Sequence, residues 1–409
     1  MRSAVFLSMV LAAPSFAQPP AVSTTTVSAG PALRLISPEA YPDFHESFQG
    51  KAALVKAAKK ALLYLEGPQA PRLFKLGERT YGAGELAASL EELISLAKTA
   101  ATQDEFADAV RQRFDVFESA GSDGAGKVVF SSYYQPLLAA GRKKSPKYPV
   151  PLYRRPPDMI DLDLGAFDQR LAGDAFEGRV DKKTRALVPY FSRGEIDVKK
   201  RLAGKGLEIA WLKDKFDALD LHIQGSGILR FPDGKEVLAK FAGTNGQPYN
   251  SVGQLLIKAG AFTKDNITHD KIRAYFLDHP EAEDWVLEQD PRYTFFDLAA
   301  LPADGEPFGA VEQSLVPARS IAIDPALIPL GALAFFTTTA PQADKEGRLL
   351  GLFPSSRFAV CMDTGGAIKG AGRVDIYAGH GLQAETTARN QWSDGRLYIL
   401  VKKPPPPDR

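Results

Sequence analysis

Cys361-Met-Asp-Thr-Gly-Gly-Ala-Ile-Lys-Gly-Ala-Gly-Arg-Val-Asp-Ile-Tyr-Ala-Gly379 packs two aspartates, a lysine, an arginine and five glycines between two apolar runs. On either side lie Ser356-Arg-Phe-Ala-Val-Cys361 and Gly395-Arg-Leu-Tyr-Ile-Leu-Val401, β-rich and short enough to be strands bounded by turn residues. Asp363 and Asp375 are therefore expected at strand ends or on the loop between strands. Glycine serves where a backbone takes positive φ or lets a ligand come close, so Gly365-Gly366 and Gly370-Ala-Gly372 fit bends around a site. A loop-rich turn with capping carboxylates reads the same way, and both readings stay open here. Cys361, the only cysteine, lies in an apolar run and is expected to be a small buried core residue, not a nucleophile.

Outward from this stretch, the bulk numbers set bounds. A chain of 409 residues, 44% hydrophobic and 24% charged, has the composition of a soluble globular protein with room for two or three domains. Fifty basic against forty-nine acidic residues give a net charge of +1, so no overall field draws it onto nucleic acid. Arg2, the apolar run Ala4 to Ala13 and Ser15-Phe16-Ala17 before Gln18 read as a secretory signal, predicting export. One cysteine excludes an intrachain disulfide and leaves none for a lipid anchor at that cleavage site.

From Gln18 to about Pro42 the chain is rich in Pro, Ser, Thr and Ala and reads as a flexible leader. Helical stripes follow over Lys51 to Glu66, Gly84 to Lys98 and Asp104 to Glu118. Lys127 to Pro136 looks like a strand running into a turn, with Tyr133 and Tyr134 pointing to opposite sides. One can be core while the other faces a groove, where a sugar ring could stack. Strand-like pieces then include Leu207 to Leu212, Leu219 to Gln224 and Glu236 to Phe241. Gln224-Gly225-Ser226-Gly227 reads as a bare loop after a strand, able to approach a ligand, and as a mere turn it would look much the same. Helices are expected from Val252 to Lys258, Asp270 to Leu277 and Glu281 to Glu288. Beyond Gly305 the β texture strengthens, and Lys402 to Arg409 reads as a disordered tail.

The five histidines are scattered without metal-ligand spacing, and no phosphate-binding, dinucleotide-binding or nucleophile-elbow motif occurs, so neither a metal nor another cofactor is expected. Asp363-Thr364-Gly365 matches the D-T-G of aspartic proteases, but those enzymes need a second aspartate from a second such motif or a dimer, and the chain holds no second D-T-G or D-S-G.

Asp363-Thr-Gly-Gly-Ala-Ile-Lys-Gly370, Arg373, Asp375 and Tyr377, taken with Gln224-Gly-Ser-Gly227, Ala242-Gly-Thr-Asn-Gly246 and Tyr133-Tyr-Gln-Pro136, resemble the membrane-bound lytic murein transglycosylase A family. The resemblance runs from about Val128 to Val401. It implies a mostly β, α+β protein with N-terminal helices, in which a double-psi β-barrel and an inserted second β domain form a peptidoglycan groove. The implied division is a signal peptide (1–17), a leader (18–42), a helical region with the first part of the barrel (43–136), an inserted domain (137–305), the 3D barrel domain (306–401) and a tail (402–409). By position in the motif, Asp375 carries over as catalytic acid and Asp363 as a second, supporting acid. Tyr133, Tyr134, Gln224, Gly225, Ser226, Gly227, Gly365, Gly366, Lys369, Arg373 and Tyr377 carry over as substrate-binding residues. Ser132 stands where members usually show Gly, and Phe241 where they show Tyr.

The implied activity is cleavage of the β-1,4 bond between N-acetylmuramic acid and N-acetylglucosamine with 1,6-anhydromuramoyl ends, a carbon–oxygen lyase reaction of the lytic exotransglycosylase class. The implied partners are peptidoglycan glycan strands in the periplasm or cell envelope, with cell-wall synthesis or division proteins left open. One carboxyl suffices, because the muramoyl C6 hydroxyl is tethered to the carbon it attacks. Val374 and Ile376 would raise the Asp375 pKa if they enclose it, and Arg373 and Lys369 are expected to face the glycan instead. A double-psi barrel that binds polysaccharide without cutting it is the alternative.

Overall fold

The computed structural model describes residues 31–404 except 47–49, 69, 71–72, 172–174 and 264–265, so the expected signal and residues 18–30 of the leader lie outside the described residues. Six strands close a barrel. Trp392–Lys402, Leu333–Ala343, Leu349–Asp363, Ser320–Ala322, Arg373–His380 and Val128–Gln135 pair in that order, and the last returns to Trp392–Lys402. Closure satisfies the backbone groups that an edge would expose. Two pairings are parallel, Ser320–Ala322 with Leu349–Asp363 and Arg373–His380 with Val128–Gln135. The second brings a strand from before the inserted domain beside one from the opening stretch. Phe130, Phe335, Phe336, Phe358, Val374, Leu397 and Ile399 fill the core. Cys361 lies fully buried among them, and burial pushes its thiol pKa up, as expected of a core residue.

The first two helical stripes fold as Lys51–Leu65 and Ala83–Thr99, whose leucines join the barrel core. The third stops early. Gln103–Arg113 is a helix capped by the Thr102 hydroxyl, and Phe114–Ser119 is a strand paired with Trp392–Lys402. Phe114 and Phe117 fit helical spacing, but with Val116 they form a β-branched and aromatic run that pairing with a long neighbour stabilises as strand.

The leader also folds where it is described. Leu33–Leu35 pairs with Phe114–Ser119, and Tyr41 is buried, its hydroxyl donating to Phe114 O at 3.1 Å. A three-residue strand is too short to show periodicity, so its order comes from the partner. At the other end, Lys402 belongs to the last strand and the Lys403 N–H donates to Arg113 O. Residues 405–409 of the expected tail lie outside the described residues.

The inserted domain carries a six-stranded sheet, in the order Thr294–Ala299, Glu236–Thr244, Gly227–Arg230, Leu137–Gly141, Glu208–Leu212 and Val150–Tyr153, and a smaller three-stranded one. The expected helices form as Val252–Lys258, His269–Asp278 and Pro280–Gln289. The expected strand Leu219 to Gln224 is instead the helix Lys215–Gln224, capped by Asp214 at its start and by Gly225 at φ +79° at its end. Phe216 to His222 are buried on every side, and a helix buried all round has no amphipathic stripe to distinguish it from a buried strand.

Candidate active site

Asp363 ends the strand Leu349–Asp363, as expected of a strand-end acid, while Asp375 is the third residue of Arg373–His380. Parallel register sets Asp375 opposite Ser131 and Tyr377 opposite Tyr133, so the two chemistry-rich stretches lie side by side.

Asp375 is half-buried. Its Oδ1 accepts a hydrogen bond from the Ser131 hydroxyl, whose oxygen accepts one from Arg373 Nη2 at 2.7 Å. Guanidinium only donates, so the single serine proton goes to Asp375. That leaves Oδ2 to carry the carboxylic proton when Asp375 is protonated. Burial pushes the pKa up to about 6, opposed by the Ser131 hydrogen bond and the Arg373 charge and assisted by the negative charge of Asp363. Arg373 thus reaches Asp375 through Ser131 instead of by a direct ion pair, and it also caps Val129 O and Val374 O and lies 4.7 Å from the Trp392 ring centroid.

Asp363 has different surroundings. Oδ1 accepts from the Ala310 and Thr364 N–H groups at 3.0 and 2.9 Å, and Oδ2 from the Tyr133 hydroxyl at 2.6 Å. Burial raises its pKa while these three donors favour the charged form. Two acids in one site thus differ, one presented with donors only and one left to hold a proton.

The structure brings some expected residues to this pair and commits others elsewhere. Tyr133 touches Asp363. Tyr134 does not line a groove: it is 4% exposed, donates to Asp220 Oδ2 at 2.8 Å, accepts from Arg389 Nη2 at 3.1 Å and packs on Ala384 and Ala388. It ties the barrel to the helix Lys215–Gln224, because a buried hydroxyl must be paired and Asp220 is the acceptor at hand. Tyr377 is fully buried, donates to Glu306 Oε2 at 2.5 Å and packs its ring at a tilt against Tyr133 with centroids 5.2 Å apart, so it backs the site without reaching a ligand. Gln224 Oε1 accepts the Tyr134 N–H at 3.1 Å, fixing the end of Val128–Gln135. Gly225 provides the left-handed turn, Ser226 is half-buried, and Gly227 opens a strand against Leu221 and Pro136. Lys369 is exposed, 3.9 Å from Asp324, away from the acid pair's hydrogen bonds.

In the opening stretch, Gly365 lies close over Ile368, and Gly366 lets a side chain of the inserted domain approach. A Cβ at 366 would stand 2.6 Å from Arg292 Nη2. Arg292, Glu306 and Ser131 escaped the sequence reading. Ser131 stood two residues before the quoted tyrosine pair, whereas Arg292 carried no local signal. On the inserted domain, Phe241, Ala242, Gly243 and Thr244 line, with Arg155, Asp161 and Glu177, an open cavity of about 290 Å³.

Family comparison agrees with this architecture. A model described as the MltA specific insert domain matches residues 129–297, and one described as the 3D domain matches residues 319–401. The chain is 31% identical over 293 residues to membrane-bound lytic murein transglycosylase A of Escherichia coli K12, covering 71% of this chain and 70% of that protein. It superposes with a TM-score of 0.70 and 27% identity on the crystal structure of a membrane-bound lytic murein transglycosylase from Agrobacterium tumefaciens, covering 91% of this chain and 98% of that one. Escherichia coli MltA with bound chitohexaose shares the fold at a TM-score of 0.66 and 24% identity, covering 92% and 97%. A six-stranded barrel split by a β insert is the lytic transglycosylase architecture that this chain shares with these proteins. The chain belongs to the membrane-bound lytic murein transglycosylase A family.

Proposed function

We propose that this chain is a lytic transglycosylase that cleaves peptidoglycan between N-acetylmuramic acid and N-acetylglucosamine, with Asp375 as its general acid and then base. The observation that carries the residue assignment is the single-sided hydrogen bonding of Asp375, in which Ser131 holds Oδ1 as an acceptor and leaves the proton to Oδ2. Protonated Asp375 gives that proton to the glycosidic oxygen as the bond to the anomeric carbon breaks. The muramoyl C6 hydroxyl then bonds to the same carbon, and its proton passes to the Asp375 carboxylate, which returns to the acid form. No water is consumed, and the product carries a 1,6-anhydro ring. The tethered hydroxyl has the effective-concentration advantage of an intramolecular nucleophile, so a second carboxylate need not attack. Asp363, whose carboxylate form three donors favour against the burial that raises its pKa, supports the acid when charged, by keeping the Asp375 pKa high and by offering negative charge to the cationic transition state.

Chitohexaose bound to the Escherichia coli relative supports a glycan strand as ligand. Membrane-bound relatives support a place in the cell envelope, to which the expected signal at 1–17 would deliver the chain. Among the described residues no helix is long and apolar enough to cross a membrane.

Digesting purified peptidoglycan and weighing the fragments tests the reading. Anhydromuramoyl ends are expected, formed ~10²- to 10⁴-fold more slowly with Asp375→Asn. Fragments heavier by one water would mean hydrolysis, and intact sacculi with retained binding would mean a non-catalytic polysaccharide binder.

A further inference from the structure

Trp392 opens the strand Trp392–Lys402 and is 71% exposed. Indole carries a large apolar face, and leaving it in water forgoes one of the largest burial gains a side chain offers. Register fixes where it stands. Trp392 lies opposite Ser131 and Ser131 opposite Asp375, so the three form one row across three adjacent strands. Contacts place them on one face, since Ser131 donates to Asp375 and Arg373 reaches both the Ser131 hydroxyl and the Trp392 ring. Two strand spacings, ~10 Å, separate Trp392 from the acid, about the reach of two pyranose rings. Arg373 is itself fixed by Val129 O, Val374 O and Ser131, so its guanidinium steadies the indole while most of the ring stays open.

We infer that Trp392 is a sugar-stacking platform, taking the C–H face of an N-acetylhexosamine about two residues along the glycan from the bond that is cut. The inference rests on the transglycosylase reading of the site.

The test uses chitohexaose and the inert Asp375→Asn variant, so that binding is read without turnover. Adding Trp392→Ala is expected to weaken chitohexaose binding by calorimetry roughly tenfold, the size of one aromatic stacking contact, and Trp392→Phe to restore most of it. In the otherwise wild-type enzyme, Trp392→Ala is expected to raise KM for isolated glycan strands by a similar factor with kcat changed less than twofold. Trp392 is exposed, so each Trp392 substitution is expected to leave the melting temperature of its parent unchanged. Chitohexaose affinity and KM both equal to those of the parent would overturn the platform, whatever the fragment masses say. An Asp375→Asn enzyme that cut peptidoglycan at the parent's rate would overturn the assignment of the acid instead, leaving the binding result to stand.

Discussion

Ser131 and Asp375 face each other across the parallel pair of Val128–Gln135 and Arg373–His380, and the serine hydroxyl donates its proton to Asp375 Oδ1. That bond stabilises the carboxylate and fixes which oxygen is protonated. In Ser131→Ala the carboxylate loses this support, so the alkaline limb of the kcat/KM profile is expected to move up by as much as about one pH unit. Turnover at the optimum is expected to fall ~10-fold because the acid is no longer oriented. A pH–rate series on both proteins checks both.

With the pKa of Asp375 pushed up to about 6, the acid form dominates below that pH. Since the protonated carboxyl starts the reaction, kcat/KM is expected to fall about tenfold per unit as pH rises beyond roughly 6. Asp375→Asn is expected to lower turnover by ~10²- to 10⁴-fold. The same substitution reports on stability. A carboxyl whose folded pKa lies above its unfolded value favours the fold at low pH, and that contribution is lost as pH rises from about 4 to about 6. At pH 7 Asp375→Asn is therefore expected to be more stable by ~1–3 kcal/mol, seen as a higher melting temperature that vanishes near pH 4.

Asp363 accepts from three donors and has none to give. Asp363→Asn points an amide N–H₂ at a donor and is expected to cost about 1–3 kcal/mol in denaturant unfolding. It also removes a negative charge near Asp375, so the alkaline limb is expected to shift to lower pH, opposite in sign to Ser131→Ala.

Tyr134 and Tyr133 are neighbours with different tasks. Tyr134→Phe removes the hydroxyl that donates to buried Asp220 Oδ2 and is expected to cost about 1–3 kcal/mol in stability, with KM for glycan nearly unchanged. A large KM effect with normal stability would return Tyr134 to the groove.

The glycines of the Gln224–Gly227 loop separate on physical grounds. At Gly225, with φ +79° and open space around it, alanine is expected to cost ~1–2 kcal/mol from backbone conformation alone. At Gly227 the backbone is ordinary, but a Cβ would stand 2.5 Å from Leu221 Cδ1 and 3.1 Å from Pro136 O, so overpacking is expected to cost about 1–3 kcal/mol. Urea unfolding in double-mutant cycles separates them further: Leu221→Ala should cost less in the Gly227→Ala background than in the wild type, and about the same in the Gly225→Ala background.

Much of this was legible residue by residue. Strands around Cys361 and Leu397, the leucine stripes of the first two helices and the burial of the lone cysteine followed from alternation, spacing and composition. Legibility failed where burial or pairing overrode local pattern. Phe216 to His222 of the helix Lys215–Gln224 are buried on every face and show no stripe, and Phe114–Ser119 carries helical spacing yet is held as strand by its neighbour. Leu33–Leu35 is ordered only because a strand eighty residues away accepts it.

By itself the sequence determined which stretches carry the chemistry, since residue types and glycine spacing are local properties and the motifs around residues 133, 224 and 375 lie in order along it. Only the tertiary structure decided what each side chain does. The parallel pairing of strands more than 240 residues apart sets Ser131 against Asp375, swings Arg373 onto that serine, turns Tyr134 and Tyr377 inward and lays Arg292 over Gly366. Direction, burial and partner arise from packing between distant segments, and no local spacing encodes them.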